Sequence, residues 1–326
     1  MTFVNTDPCF CYGCGVTIAL HPLGPKIIRS PLHEIRNIWS ASQKCENSCT
    51  PCHLYTGIMT LPLQLLVENK CRDLDVPLVG FAPAERWDDP LFDPWVPEQF
   101  RPRSIYPETN TVIVIGIPVS LPVIETSPSI FYHELYKTVN NLLDMSSYRI
   151  SILLNELGYP AIALPRDGYG SISVLKENPV AFFSHRHAAF LAGLGNFGIN
   201  NMILTPGYGP RVRFTSIFTH AKISGGEIMH EALCTHCMQC VTICPVNALQ
   251  EEDYPAGLTD TKNCATRSEE LSKRYLSPCG FCIKVCPVGE DRVRYKREQP
   301  GIYDESNQEY TNYRKAWDHV RSYGGK

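Results

Sequence analysis

Cys234-Thr-His-Cys237-Met-Gln-Cys240-Val-Thr-Ile-Cys244-Pro245 is the stretch on which the reading of this chain turns. Its C-x₂-C-x₂-C-x₃-C-P spacing is one that holds [4Fe–4S] clusters. Three thiolates on a tight turn cap three irons of one cube, and the fourth, leaving on a helix, reaches a second cube. Some twenty residues on stands Cys264, then Cys279-Gly-Phe-Cys282-Ile-Lys-Val-Cys286-Pro287, which repeats the last C-x₂-C-x₃-C-P and displaces its first cysteine to Cys264. Eight thiolates make two complete sets. The crossover rule assigns Cys234, Cys237, Cys240 and Cys286 to one cluster and Cys244, Cys264, Cys279 and Cys282 to the other. A pair of structural zinc sites is the competing reading, since C-x₂-C pairs also bind zinc, but zinc has no use for the third cysteine or the C-x₃-C-P. Two linked clusters form an electron wire, and what sits at its far end sets the function.

The rest of the composition is ordinary. Of 326 residues, 44% are hydrophobic and 19% charged, which excludes global disorder, and the formal charge of −3 gives no reason to expect a polyanionic partner. The 15 cysteines come in bunches rather than throughout, unlike a secreted disulfide scaffold. The start, MTFVNTDPCFCYGCG, lacks a basic and apolar leader, and the longest apolar runs, such as Thr111–Pro118, are strand-length. These features predict a cytoplasmic protein of a reducing compartment, with no membrane and no nucleic acid among its partners.

Four zones follow: a cysteine-rich segment 1–58, an α/β domain 59–222, a ferredoxin-like two-[4Fe–4S] domain 223–290, and a polar, aromatic tail 291–326 with a short helix near Tyr313–Tyr323. In the second zone the pattern predicts a helix from Leu61–Val67 leading to a strand at Pro77–Ala82, then a strand at Thr111–Ile117. A long helix follows, whose stripe is Leu135, Val139, Leu142, Leu143, Ser146, Ile150, Leu153, Leu154 and Leu157, stopped by Gly158. A strand at Pro160–Leu164 comes next. The fold class is α+β, a layered domain fused to the cluster module, with the strand order left open.

A complete cysteine run, a lone cysteine and then C-x₂-C-x₃-C-P resembles the iron–sulfur domain of epoxyqueuosine reductases and reductive dehalogenases. The segment His187-Ala-Ala-Phe-Leu-Ala-Gly-Leu-Gly-Asn-Phe-Gly-Ile-Asn-Asn201 is similar to that group's helix and AGLG-x-x-G-x-N turn, and Gly209-Pro-Arg-Val-Arg-Phe-Thr-Ser216 to its entry strand. The resemblance spans residues 60 to 290. It implies a nitroreductase-like domain that binds cobalamin, electrons passing from the clusters to the cobalt, and a tyrosine or acidic side chain that gives a proton to a small-molecule substrate. An external donor, a ferredoxin or flavoprotein, would feed the clusters. Asn178–Ser184 carries no acid where epoxyqueuosine reductases have an aspartate, no basic extension follows the clusters, and the twin-arginine signal of respiratory dehalogenases is missing, so the substrate stays open. The alternative is an electron-transfer protein that docks a partner enzyme and holds no corrinoid.

Gly193, Gly195 and Gly198 match the dinucleotide fingerprint, but the preceding residues read as helix rather than strand. These glycines are expected instead to let the backbone approach a large flat ligand. Arg211 and Arg213 alternate on a strand and are candidates to hold corrinoid side chains or a substrate carboxylate. Tyr132, His185 and His187 are candidate proton donors, with His133, Asp167 and Tyr169 behind them. Cys9, Cys11 and Cys14 with Cys45, Cys49 and Cys52 offer six further thiols: a third [4Fe–4S] cluster, a zinc site or free thiols.

Overall fold

The computed structural model describes residues 62–323 apart from 90–95, 168–169, 179 and 305, together with the backbone of two short antiparallel strands, Cys9–Phe10 and Thr17–Ile18. Cys11, Cys14, Cys45, Cys49 and Cys52 lie outside the described residues, as do the Cys9 side chain and Tyr169. Residues Pro62–Lys326 form one compact unit.

Its centre is a sheet of β1 (Leu78–Pro83), β2 (Thr111–Pro118), β3 (Ala161–Ala163) and β6 (Val212–Thr219). The order is β1–β2–β6–β3 and every pairing is antiparallel. Strand β2 is paired on both edges and buried from Thr111 to Ile117. That is why its sequence, TVIVIGIP, is continuously apolar instead of alternating. Ile113, Ile115 and Ile117 pack into one core with Val67 and Cys71 of α1 (Leu63–Asp73). Val112 and Val114 face the opposite core with Trp87, Phe183 and Phe218. Each buried Ile or Phe contributes about 1.5–3 kcal/mol. Gly116 stands opposite Phe214, and a Cβ there would lie 2.8 Å from the Phe214 ring.

Short helices α2 (Pro102–Ile105) and α3 (Leu121–Ile124) lead to α4 (Ile130–Glu156), which covers the Ile113 face. Ser129 caps α4 by accepting a hydrogen bond from the Tyr132 amide at 3.1 Å, and Gly158, at φ +84°, ends it as expected. Its buried face differs from the leucine stripe at both margins. Leu142 and Leu157 are exposed, whereas Tyr132 and Asn140 are buried. After α5 (Ile172–Glu177), α6 (His185–Leu191) covers the other face of the sheet and runs into a hairpin of β4 (Asn196–Phe197) and β5 (Ile203–Leu204).

The cysteine module carries two matching turns. Met238 (φ 56°) opens α7 (Gln239–Thr242), and Gly280 (φ 76°) opens α9 (Phe281–Lys284), the two being separated by α8 (Thr261–Ser272). Each four-residue helix bears one cysteine, Cys240 or Cys282, and is followed by Cys244-Pro or Cys286-Pro. Helices α10 (Glu290–Arg294) and α11 (Thr311–Ser322) complete the chain. No helix among the described residues is long and apolar enough to cross a membrane.

Candidate functional site

None of the described cysteines forms a disulfide. Cys234, Cys237, Cys240 and Cys286 line one small cavity with Gly198, Ile199 and Asn200. Cys244, Cys264, Cys279 and Cys282 line a second, larger cleft of about 460 Å³. The electrostatics partition the thiols in the same way. Burial, followed by the thiols of Cys286, Cys237 and Cys234, pushes Cys240 up to about 11. Cys282 is raised by burial and then by Cys264, Cys279, Cys240 and Cys244. Cys264 is raised by burial and by Cys279 and Cys244. The mention of Cys240 beside Cys282 marks where the two sets adjoin. Among the described residues no three His, Cys, Asp or Glu side chains converge as one metal ion requires. Thiols spread around a cavity suit a cube, whose four irons take one thiolate each, rather than a single zinc that gathers all four at about 2.3 Å. Crowded, buried thiols of this kind favour protonation until a cation binds, so loading would release protons.

The second thiol set shares its cleft with the sheet domain. Tyr132 and Tyr136 of α4, Arg213 of β6, and the loop residue Asp167 line it, and so does Arg186. Positions 132, 136 and 140 fall four apart on one face of α4. Arg213 lies over the Tyr136 ring at 4.5 Å, with Nε donating to Asn140 Oδ1 at 3.2 Å and Nη2 paired to Asp167 Oδ1 at 2.9 Å. Tyr132 is buried, and its phenol is held well above the ordinary range by that burial and by Tyr136. It closes on the second cysteine turn: a Cβ on Gly280 would lie 2.7 Å from the Tyr132 ring, so this turn needs glycine where the first one has Met238. Small residues of the cysteine module (Ala248, Thr261, Ala265, Ser268 and Ser277) supply another part of the lining.

Several expected residues stand elsewhere. Arg211 is fully buried at the wall of the cleft, with its guanidinium taken up by the protein's own groups. It forms a bidentate pair with Asp291 at 2.7 and 2.6 Å and donates to the carbonyls of Ile283, Cys286 and Val288, fastening the turn after the last cysteine. His185 and His187 do not line the cleft. His185 donates from Nε2 to the Pro165 carbonyl at 2.9 Å, which leaves Nδ1 to accept from Ser216. Burial holds its pKa down to about 4. His187 lies between Ser184 and Tyr254, and burial holds it down to about 3. Both are packed, neutral histidines. The glycine turn is closed by its own chain rather than open to a flat ligand. A Cβ at Gly193 would collide with the Glu227 carbonyl, and one at Gly195 with that of Leu204. Gly198 alone borders a thiol cavity, the first. Tyr136 was not anticipated, although its i+4 spacing from Tyr132 was available in the sequence.

Comparison with known proteins agrees with this layout. Residues 228–250 match the family described as 4Fe-4S binding domain. Over 204 residues the chain is 26% identical to a tetrachloroethene reductive dehalogenase of Desulfitobacterium hafniense, covering 57% of this chain and 33% of that protein. Over 112 residues it is 27% identical to an epoxyqueuosine reductase of Synechococcus sp. (strain RCC307), covering 32% of this chain and 34% of that protein. A solved reductive dehalogenase, described as suggesting a mechanism for B12-dependent dehalogenation, has the same fold over 82% of this chain and 39% of its own, with a TM-score of 0.52 at 18% identity. The chain spans about a third of the length of these curated relatives. It is similar to reductive dehalogenases and epoxyqueuosine reductases, and its segment before the second cysteine turn matches a 4Fe-4S binding domain.

Proposed function

We propose that the chain is an iron–sulfur oxidoreductase. Two [4Fe–4S] clusters, one held by Cys234, Cys237, Cys240 and Cys286 and one by Cys244, Cys264, Cys279 and Cys282, pass single electrons from a ferredoxin or flavoprotein into the cleft. The observation that carries this reading is the shared cleft: the second thiol set and the Tyr132, Tyr136, Asp167 and Arg213 side chains line one space.

A corrinoid is the acceptor the relatives suggest, and the nitroreductase-like sheet domain would be its binding body. The cleft lies within the range of roughly 300–1,000 Å³ typical of ligand sites. Its small Ser, Thr and Ala lining fits the face of a flat macrocycle, and no side chain in it need act as lower ligand. When bound, the corrinoid supplies low-valent cobalt as the reductant. The protein's own groups do the rest. Asp167 and Asn140 fix the Arg213 guanidinium over Tyr136, where it orients an anionic or electron-rich substrate group and stabilises developing negative charge. The Tyr132 hydroxyl makes no hydrogen bond to another described residue and is held neutral, so it is available to donate a proton.

The second reading, an electron-transfer protein without a corrinoid, is favoured by one observation, the self-packed glycine turn. Cobalt decides between them. Anaerobic full-length protein mixed with cobalamin and passed through a sizing column should retain about one cobalt per chain, with a spectral change as the lower base leaves the metal. Fully clustered protein that repeatedly retains no cobalt would establish the electron-transfer reading instead.

A further inference from the structure

Every buried Lys, Arg, Asp or Glu among the described residues, namely Glu125, Arg211, Lys284, Asp291 and Arg292, belongs to one network around the turn that carries Cys286. Arg211 is neutralised by Asp291, and Glu125 by Arg297 at 3.1 Å. Arg292 differs. Its Nε and Nη2 donate to the Cys286 carbonyl at 3.0 and 2.8 Å, its Nη1 donates to the Tyr303 hydroxyl at 2.5 Å, and its Nη2 also reaches the Lys284 carbonyl. All of these partners are neutral, no carboxylate among the described residues lies within ion-pair distance of it, and the residue is 2% exposed. A guanidinium does not deprotonate in proteins. Burying a charge without a counter-charge is strongly unfavourable, so such a charge implies an anion beside it.

Cys286 would provide that anion once it holds iron as a thiolate. Its thiol belongs to the first set, the one that does not open on the cleft. A cubane with four thiolates is a net anion and gains another negative charge on reduction, and its potential responds to nearby charge and burial. We propose that Arg292 is the buried counter-ion of the cluster held by Cys234, Cys237, Cys240 and Cys286, and that it raises that cluster's reduction potential. This inference rests on the cluster assignment proposed above. It gives the tail a task. Tyr303, whose hydroxyl donates to Glu125 at 2.9 Å and whose ring stacks near Trp317 of α11, fastens the guanidinium in place. Of the cations near the second set, Arg186 and Arg267 line the open cleft, where water screens them, while Lys284 is buried and donates to the Ser127 carbonyl at 3.0 Å.

Potentiometric titration of the full-length protein followed by EPR tests this, with Cys264→Ala used to assign which signal belongs to the first cluster. Arg292→Gln should keep both clusters by iron and sulfide content. At the wild-type midpoint its reduced-to-oxidised ratio for the first cluster should fall about threefold to tenfold, a tenfold fall being 59 mV for one electron. The second midpoint should stay put, and Arg292→Lys, which keeps the charge, should restore most of the loss. If Arg292→Gln loses the first cluster and Arg292→Lys keeps it, the charge requirement is also supported. An unchanged first midpoint in fully clustered Arg292→Gln, an equal shift of both midpoints, or loss of the first cluster in Arg292→Lys as well would overturn the proposal. Wild-type protein without [4Fe–4S] signals would instead overturn the cluster assignment.

Discussion

At the scale of single residues, the grouping of the thiols around two cavities was legible because ligand spacing is a local property of the chain, and a turn plus a short helix reproduces it wherever it occurs. Cys264 is the strongest case. Although isolated in sequence, it sits with Cys244, Cys279 and Cys282 in the cleft. Cys264→Ala should therefore remove about half of the iron, from the cluster of that set, and leave the first cluster's EPR signal in place; full retention of both signals would show that Cys264 is no ligand. Arg211 was not legible, because its partner Asp291 lies 80 residues further on and nothing local announces the pair. The histidines illustrate the same gap. His185 and His187 cluster with polar neighbours in sequence, yet the fold packs His185 half-buried and His187 buried, with pKa values held down to about 4 and about 3. An unfolded histidine titrates near 6.5, so below that pH the unfolded chain binds protons that the folded chain refuses. Stability should be full above pH 6.5 and fall progressively as the pH drops toward 4. Urea midpoints measured at pH 7.5, 6 and 5 would show it, and His187→Gln should flatten that slope; a slope identical to wild type would refute the burial account.

Elements were legible where apolar character is continuous or periodic. The strand at Thr111–Pro118, the helix ended by Gly158 and the helix at His185–Leu191 stand where the pattern put them. Strand order was not, since pairing is decided between segments as far apart as residues 111–118 and 212–219, and the sheet proved antiparallel throughout. The glycine turn shows how a local motif misleads. Its three glycines answer to close backbone packing inside the β4–β5 hairpin and against Glu227, a demand that a phosphate-binding fingerprint happens to share. Gly195→Ala, whose Cβ would meet the Leu204 carbonyl, should cost about 1–3 kcal/mol by overpacking. Gly207→Ala, with open space around the new Cβ, should stay within about 0.5 kcal/mol of wild type. Equal melting temperatures for the two variants would mean that the turn has room for a ligand after all.

Across the whole molecule, the two thiol sets and the cleft form one path. The first set lies toward an exposed Cys237, Cys240 adjoins Cys282 at the crossover, and the second set opens between α4, β6 and α8. The crossover requires that each cysteine turn serve both sites, since Cys286 of the second turn completes the first set and Cys244 of the first turn completes the second. Under the proposed assignment, such interlocking would make the clusters neighbours by construction, and losing one turn would touch both sites. Anaerobically purified chain should accordingly hold about eight irons and eight acid-labile sulfides in these sites. On full reduction the two paramagnetic clusters should broaden each other's EPR lines, and Cys264→Ala should return the remaining signal to an isolated, narrow form. Iron above eight would point to the N-terminal thiols, and the excess should vanish in a Cys45→Ser, Cys49→Ser, Cys52→Ser variant. A content near four irons, stoichiometric zinc in their place, or two fully reduced clusters with no mutual broadening would each break the interlocked arrangement, because two sites built from shared turns must fill together and sit side by side.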